Sequence, residues 1–228
     1  MVLVARGGGR MFYDVIPHGV LVAIFLPAFL APLAVIGVSL RRYWRSVGGG
    51  PVRLAELSSA ARSAGRMRNL DGGQGQGCNF EKEERFSNAR RAMHQAVMWG
   101  FLLCFASTVS GTVLHYLGWP APYGLFSVPK LFGVPGGLLL TLGAVGLAVL
   151  KPKGDRELGD PAVWGGEMAF VLLLALTGGS GLLLYAVTGT GLVAPVFALH
   201  LGAVMTLFLL MPYSKMVHGF FRFAALGR

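Results

Sequence analysis

The chain has 228 residues, of which 54% are hydrophobic and 13% charged, and its mean hydropathy is +0.61. Soluble domains carry about 25% charged residues, so this composition argues against a water-soluble globule and leaves one compact membrane bundle as the expected class. Two cysteines, Cys78 and Cys104, are too few to hold an iron–sulfur cluster, which takes four ligands, and they set up no disulfide framework.

Taken in chain order, five apolar blocks approach or exceed the roughly 20 residues that cross a bilayer as a helix, at about 16–40, 93–117, 130–150, 163–188 and 194–214. Helices are the expected form, because hydrocarbon leaves no backbone polar group a partner outside the segment. The first block is too long for a removed signal peptide and has no small-residue cleavage site before a mature domain. Between the first two blocks lies the connection 41–91. It carries a helical stretch near 52–69 behind Pro51, a glycine-rich run from Asp71 to Gly77, and a charged helix start at Glu81–Arg85. The glycine run lacks the Lys-Ser/Thr ending of a phosphate loop and reads as a flexible connection. Cys104 falls inside the second block as a small apolar filler. Trp119 and Tyr123 form an aromatic, proline-rich turn at the bilayer interface.

The net charge of +10 is distributed unevenly. The connection 41–91 holds eleven Lys or Arg, 151–162 holds three and 215–228 holds three, against Arg6, Arg10 and Lys130 in all remaining segments. Basic residues gather on the cytoplasmic side, so the N-terminus is expected outside and the C-terminus in the cytoplasm. An odd number of spans requires the two ends to lie on opposite sides, so count and charge agree. The charge is explained by anionic lipid, with no call for nucleic acid. The chain 1–228 is therefore read as a single all-α domain, a five-transmembrane-helix bundle.

Five histidines stand in or near these spans: His18, His94, His115, His200 and His218. Such residues are costly in a membrane and are functional candidates by default. The second span carries His94 at its start and His115 at its end; the fifth carries His200 near its outer end and His218 just past its inner end. On a continuous helix, the eighteen residues from His200 to His218 make five turns, which puts both rings on one face about 27 Å apart. His94 and His115 are about 32 Å apart on faces that differ by roughly 60°. Two antiparallel helices could then hold one iron between His94 and His218 and a second between His115 and His200. Bis-histidine haem ligation leaves no open site and suits electron transfer. The same placement also fits interfacial histidines bonded to carbonyls or lipid headgroups. His18 is open between a quinone-site residue and an interfacial polar group.

Several strings carry a resemblance: Phe12-Tyr13-Asp14-Val15-Ile16-Pro17-His18-Gly19, Arg41-Arg42-Tyr43-Trp44-Arg45, Gly77-Cys78-Asn79, Glu84-Arg85-Phe86-Ser87-Asn88-Ala89-Arg90-Arg91 through His94, His115-Tyr116, Gly118-Trp119-Pro120, Leu158-Gly159-Asp160-Pro161, Leu199-His200-Leu201-Gly202 and Pro212-Tyr213-Ser214-Lys215-Met216-Val217-His218-Gly219. They run over almost the whole chain, which resembles the membrane part of the tricarballylate/citrate-utilisation protein B family. The last string is also similar to the final span of the nitrate reductase gamma subunit, where the histidines at the places of His200 and His218 are haem ligands; the second-span spacing differs from that subunit.

The resemblance implies a module of the bacterial inner membrane with haem b, two by the histidine count, held by His94, His115, His200 and His218. Its implied role is to pass electrons from a cytoplasmic flavoprotein that oxidises tricarballylate to the quinone pool. Family members usually begin with a cysteine-rich, ferredoxin-like region and an additional span. These are expected on a separate chain or ahead of the sequence given. Two other functions fit parts of the sequence: an anchor subunit with one haem or none, and a tricarboxylate transporter. The second is opposed by the lack of mid-span arginines and of a broken-helix repeat. Glu167 is the main fixed charge within a span.

Overall fold

The computed structural model describes residues 15–67, 87–119, 121, 123–153 and 161–227. Within them the chain forms α1 (His18–Ser46), α2 (Leu54–Arg66), α3 (Ala89–Tyr116), α4 (Val128–Leu150), α5 (Trp164–Ala186), α6 (Val193–Leu210) and α7 (Val217–Leu226), and no strand. Five of these, α1 and α3 to α6, are long and apolar enough to cross a bilayer. They match the five hydropathy blocks. The glycine run 71–77, Glu81–Arg85, Cys78 and the string 158–160 lie outside the described residues.

The spans alternate in direction, so each has a basic end, on the side of the Arg41–Arg91 connection, and an opposite end. Long apolar side chains point away from the bundle: Leu131, Leu142, Val149 and Leu172 are all more than half exposed. In water such a surface would be untenable, but in lipid it is the expected exterior. The interior is small. Leu140, Ala144, Leu174 and Leu207 close it where α4, α5 and α6 meet.

Lipid tails are as apolar as leucine, so helix association in a membrane rests on close van der Waals fit. The α3–α4 seam meets that demand. Its close approaches pair Ser107 with Gly133, Cys104 with Gly136, Gly100 with Leu140, Val97 with Gly143 and Met93 with Gly146. Contacts therefore recur every three or four residues on both helices, the alternation of a left-handed antiparallel pair. A Cβ on Gly100 would sit 2.4 Å from the Leu140 nitrogen, and one on Gly143 would sit 2.8 Å from the Met93 carbonyl oxygen. Backbone meets backbone there, and no side chain fits between. Ser107 Oγ donates to the Pro129 carbonyl at 2.6 Å, and the Tyr123 hydroxyl donates to the Gly111 carbonyl at 2.9 Å, which adds polar ties at the opposite end. Burial pushes the Tyr123 phenol above its ordinary pKa, so it remains a donor across the neutral range.

At the basic end, α2 begins with the Arg53 amide donating to the Glu56 carboxylate at 2.8 Å and ends at Met67 in the left-handed region (φ 47°). Its terminal carbonyl, at Arg66, accepts from Arg91 Nη2 at 2.7 Å and from Gln95 Nε2 at 3.4 Å. Side chains of a transmembrane helix thus satisfy a helix end that would otherwise lack partners.

One sequence expectation changes here. The last span is not continuous to His218: α6 stops at Leu210, and turns over 211–216 lead into α7. Pro212 has no N–H to donate and its ring crowds the Phe208 carbonyl, which weakens the helix there; α1 and α4 run on through Pro27, Pro32 and Pro135, whereas here the chain leaves the helix through the turns over 211–216. His200 and His218 accordingly belong to two helices, and their five-turn spacing does not place them on one face.

The seam makes a direct prediction. Gly100→Ala should lower unfolding stability in detergent by about 1–3 kcal/mol, whereas Gly202→Ala, whose added Cβ meets nothing within 4 Å, should be near neutral. Equal thermal midpoints for the two variants would rule out the backbone seam.

Candidate functional site

At the basic end, α3 and α7 bring two imidazoles together. The ring centroids of His94 and His218 are 6.0 Å apart and their planes are inclined at 80°. Nδ1 of His94 is buried and has no hydrogen-bond partner. Nδ1 of His218 bonds to the carbonyl of Lys215 one turn earlier. A carbonyl only accepts, so in the neutral ring Nδ1 carries the proton and Nε2 keeps its lone pair. That is the arrangement in which a histidine serves as a metal ligand. Two imidazoles on opposite sides of one metal, each with nitrogen about 2 Å from it, have centroids roughly 6 Å apart. The separation of His94 and His218 fits a shared metal.

The opposite end is built differently. His115, in the last turn of α3, stacks on His18, the first residue of α1, at 3.8 Å between centroids and 25° between planes. Tyr116 meets both rings edge-on, at 5.8 Å from His18 and 5.6 Å from His115. His200 is held on α6 against α5: its Nδ1 is 3.0 Å from the Ser180 hydroxyl, and Gly181 lies under the ring, where a Cβ would be 3.1 Å from Cε1. The four expected iron ligands therefore divide. His94 and His218 face each other, while the neighbours that define His115 and His200 are His18 and Ser180.

Between the two levels, Phe29 of α1 contacts Phe105 of α3 at 5.8 Å and Phe208 of α6 at 5.0 Å, which joins the three spans that carry histidines. Ser180 has no sequence motif to announce it. The only hint is its place among small residues, Gly178 to Gly181, where a hydroxyl has little reason to enter hydrocarbon without a partner.

Glu167, in the first turn of α5, is paired with Lys151 at the end of α4 and with Lys215 in the turn before α7. Its side chain is 19% exposed, so two cations compensate a charge largely removed from solvent. Among the described residues no three of His, Cys, Asp and Glu converge.

Comparison with known proteins identifies the family. The sequence model of the Citrate utilization protein B family matches residues 1–228. The chain belongs to that family. It is 40% identical over 216 residues to Citrate utilization protein B of Escherichia coli, which covers 94% of this chain and 57% of that protein. This family member thus spans little more than half the length of that relative. No solved structure matches it.

Ser180→Ala should cost about 1 kcal/mol of stability by removing the hydroxyl's hydrogen bond to the half-buried His200 ring. The loss should shrink when His200 is already replaced by Phe. Equal losses in both backgrounds would show that the hydroxyl does not act through His200.

Proposed function

We propose that this family member is a haem b-bearing electron-transfer subunit, which passes electrons between a flavoprotein and iron–sulfur partner at the basic side and the quinone pool. The E. coli relative's name refers to citrate utilisation; the process proposed for this chain is the oxidation of tricarballylate or a similar acid by the partner. The basic side is taken as cytoplasmic by the positive-inside rule.

The observation that carries the reading is the His94–His218 pair: 6.0 Å between rings, one nitrogen buried without a partner, and the other ring held by a carbonyl in the ligand tautomer. A bare metal ion needs three or four protein ligands. Two imidazoles suffice where a porphyrin supplies the other four nitrogens, and haem bound there would provide a one-electron couple with no open position for oxygen. The residues' own task is to hold the ligand nitrogens in place. His94 does this from the rigid α3–α4 pair and His218 from the short α7. At the other end, His115 and His200 are the proposed second pair, and His18, stacked on His115, is the proposed quinone-facing imidazole.

A single-haem subunit is the second reading. It is favoured by the contacts His115 makes with His18 and His200 makes with Ser180.

Purified protein should show a b-type pyridine haemochrome, and the haem-to-chain ratio separates two haems from one. His94→Ala and His218→Ala should each remove the same haem, seen as the same loss from the reduced alpha band. His200→Ala should remove a different haem if two are present, and none if there is one. Unchanged haem content in the His94 and His218 variants would reject the ligand assignment.

A further inference from the structure

Glu167 is the residue the scheme above leaves unused. An acidic side chain in the first turn of a helix suits the free amides there, which does not explain why two lysines from different elements are drawn to it. Its partners are informative. Lys151 closes α4, whereas Lys215 belongs to the turn that replaces the end of α6. That turn is otherwise held by short-range bonds: Ser214 N to the Leu210 carbonyl at 2.9 Å, Val217 N to the Ser214 carbonyl at 3.3 Å and His218 N to the Lys215 carbonyl at 3.2 Å. The Lys215 carbonyl is also the group that accepts from His218 Nδ1. The Lys215 side chain, 64% exposed, thus pairs with Glu167 of α5, while its backbone oxygen bonds to Nδ1 of His218.

We infer that Glu167 is a positioning residue for His218. Through Lys215 it locks the 211–216 turn, so that the Lys215 carbonyl holds the imidazole with Nε2 presented towards His94. The inference rests on the reading of His218 as an iron ligand. Its chemistry is that of an outer partner to a ligating histidine: a bond from Nδ1–H to a fixed acceptor raises the basicity of Nε2, orients the ring and strengthens metal binding. A more basic ligand stabilises oxidised iron, so a loosened turn should raise the midpoint potential and weaken haem retention.

Charge alone would also move the potential, and the two lysines separate the effects. Lys151→Met and Lys215→Met remove the same charge from the same carboxylate, but only the second releases the turn. In full-length protein in detergent, Glu167→Gln and Lys215→Met should weaken haem retention by about tenfold. Lys151→Met should retain haem like the unmodified protein, and the midpoint potential of Lys215→Met should lie above that of Lys151→Met. Matching retention and potential in the two lysine variants would overturn the inference. Amide hydrogen exchange over residues 214–219 supplies a readout that needs no haem. Faster exchange in Glu167→Gln and Lys215→Met, but not in Lys151→Met, upholds the clamp even in protein isolated colourless, a result that would sink the haem reading alone. Equal exchange in all three would sink the clamp.

Discussion

The structure depends on how closely α3 and α4 approach. Without a hydrophobic drive between helices in lipid, the strength of that pair comes from backbone contact across Gly100, Gly136 and Gly143. A methyl group at any of these three positions would meet backbone atoms under 3.0 Å away and push the helices apart. The consequence reaches the histidines. α3 carries His94 at one end and His115 at the other, so a rigid partner along its length fixes both at once. α1 is the contrasting case. It contains Pro27 and Pro32 and has few buried residues, so it lacks a comparable seam. The chain thus combines a rigid half, α3 to α5, with helices around it that meet mainly through aromatic and histidine side chains.

Polar groups follow the same logic at the basic end. The break after Leu210 frees a turn from helical bonding, and an unsupported turn would be a poor platform for a functional ring. Glu167 and Lys215 supply the missing support from a neighbouring span, and Arg91 and Gln95 likewise satisfy the end of α2. The opposite end carries less charge. There the polar groups pair among themselves, His18 on His115 and Ser180 with His200.

Much of this was legible in the sequence, and the limits have physical causes. The five spans follow from hydropathy, because a block of about 20 apolar residues has few alternatives. The meeting of His94 and His218 follows from span parity: an even-numbered span starts, and an odd-numbered one ends, on the same side. Pro212 marks the break before His218, but the prolines inside α1 and α4 show that such a residue does not by itself end a helix, so the eighteen-residue spacing read as continuous. The stack of His18 on His115 could not be read, since it depends on how α1 leans against α3 and no periodicity in α1 encodes that. Ser180 with His200 is of the same kind. It requires the register between α5 and α6, which is set by small residues whose spacing allows several alignments. Glu167 stood out as a lone charge, yet only the fold shows which lysines answer it.

The proposed function rests on His94 and His218, whose ring planes are inclined at 80°, as the two residues that would hold one haem iron. Electron paramagnetic resonance of the oxidised, purified protein tests this most directly. The account predicts a low-spin ferric signal with the large anisotropy that crossed imidazole planes produce, abolished by replacing either histidine. A haem-free spectrum, or one left unchanged in shape and intensity by both replacements, would contradict it.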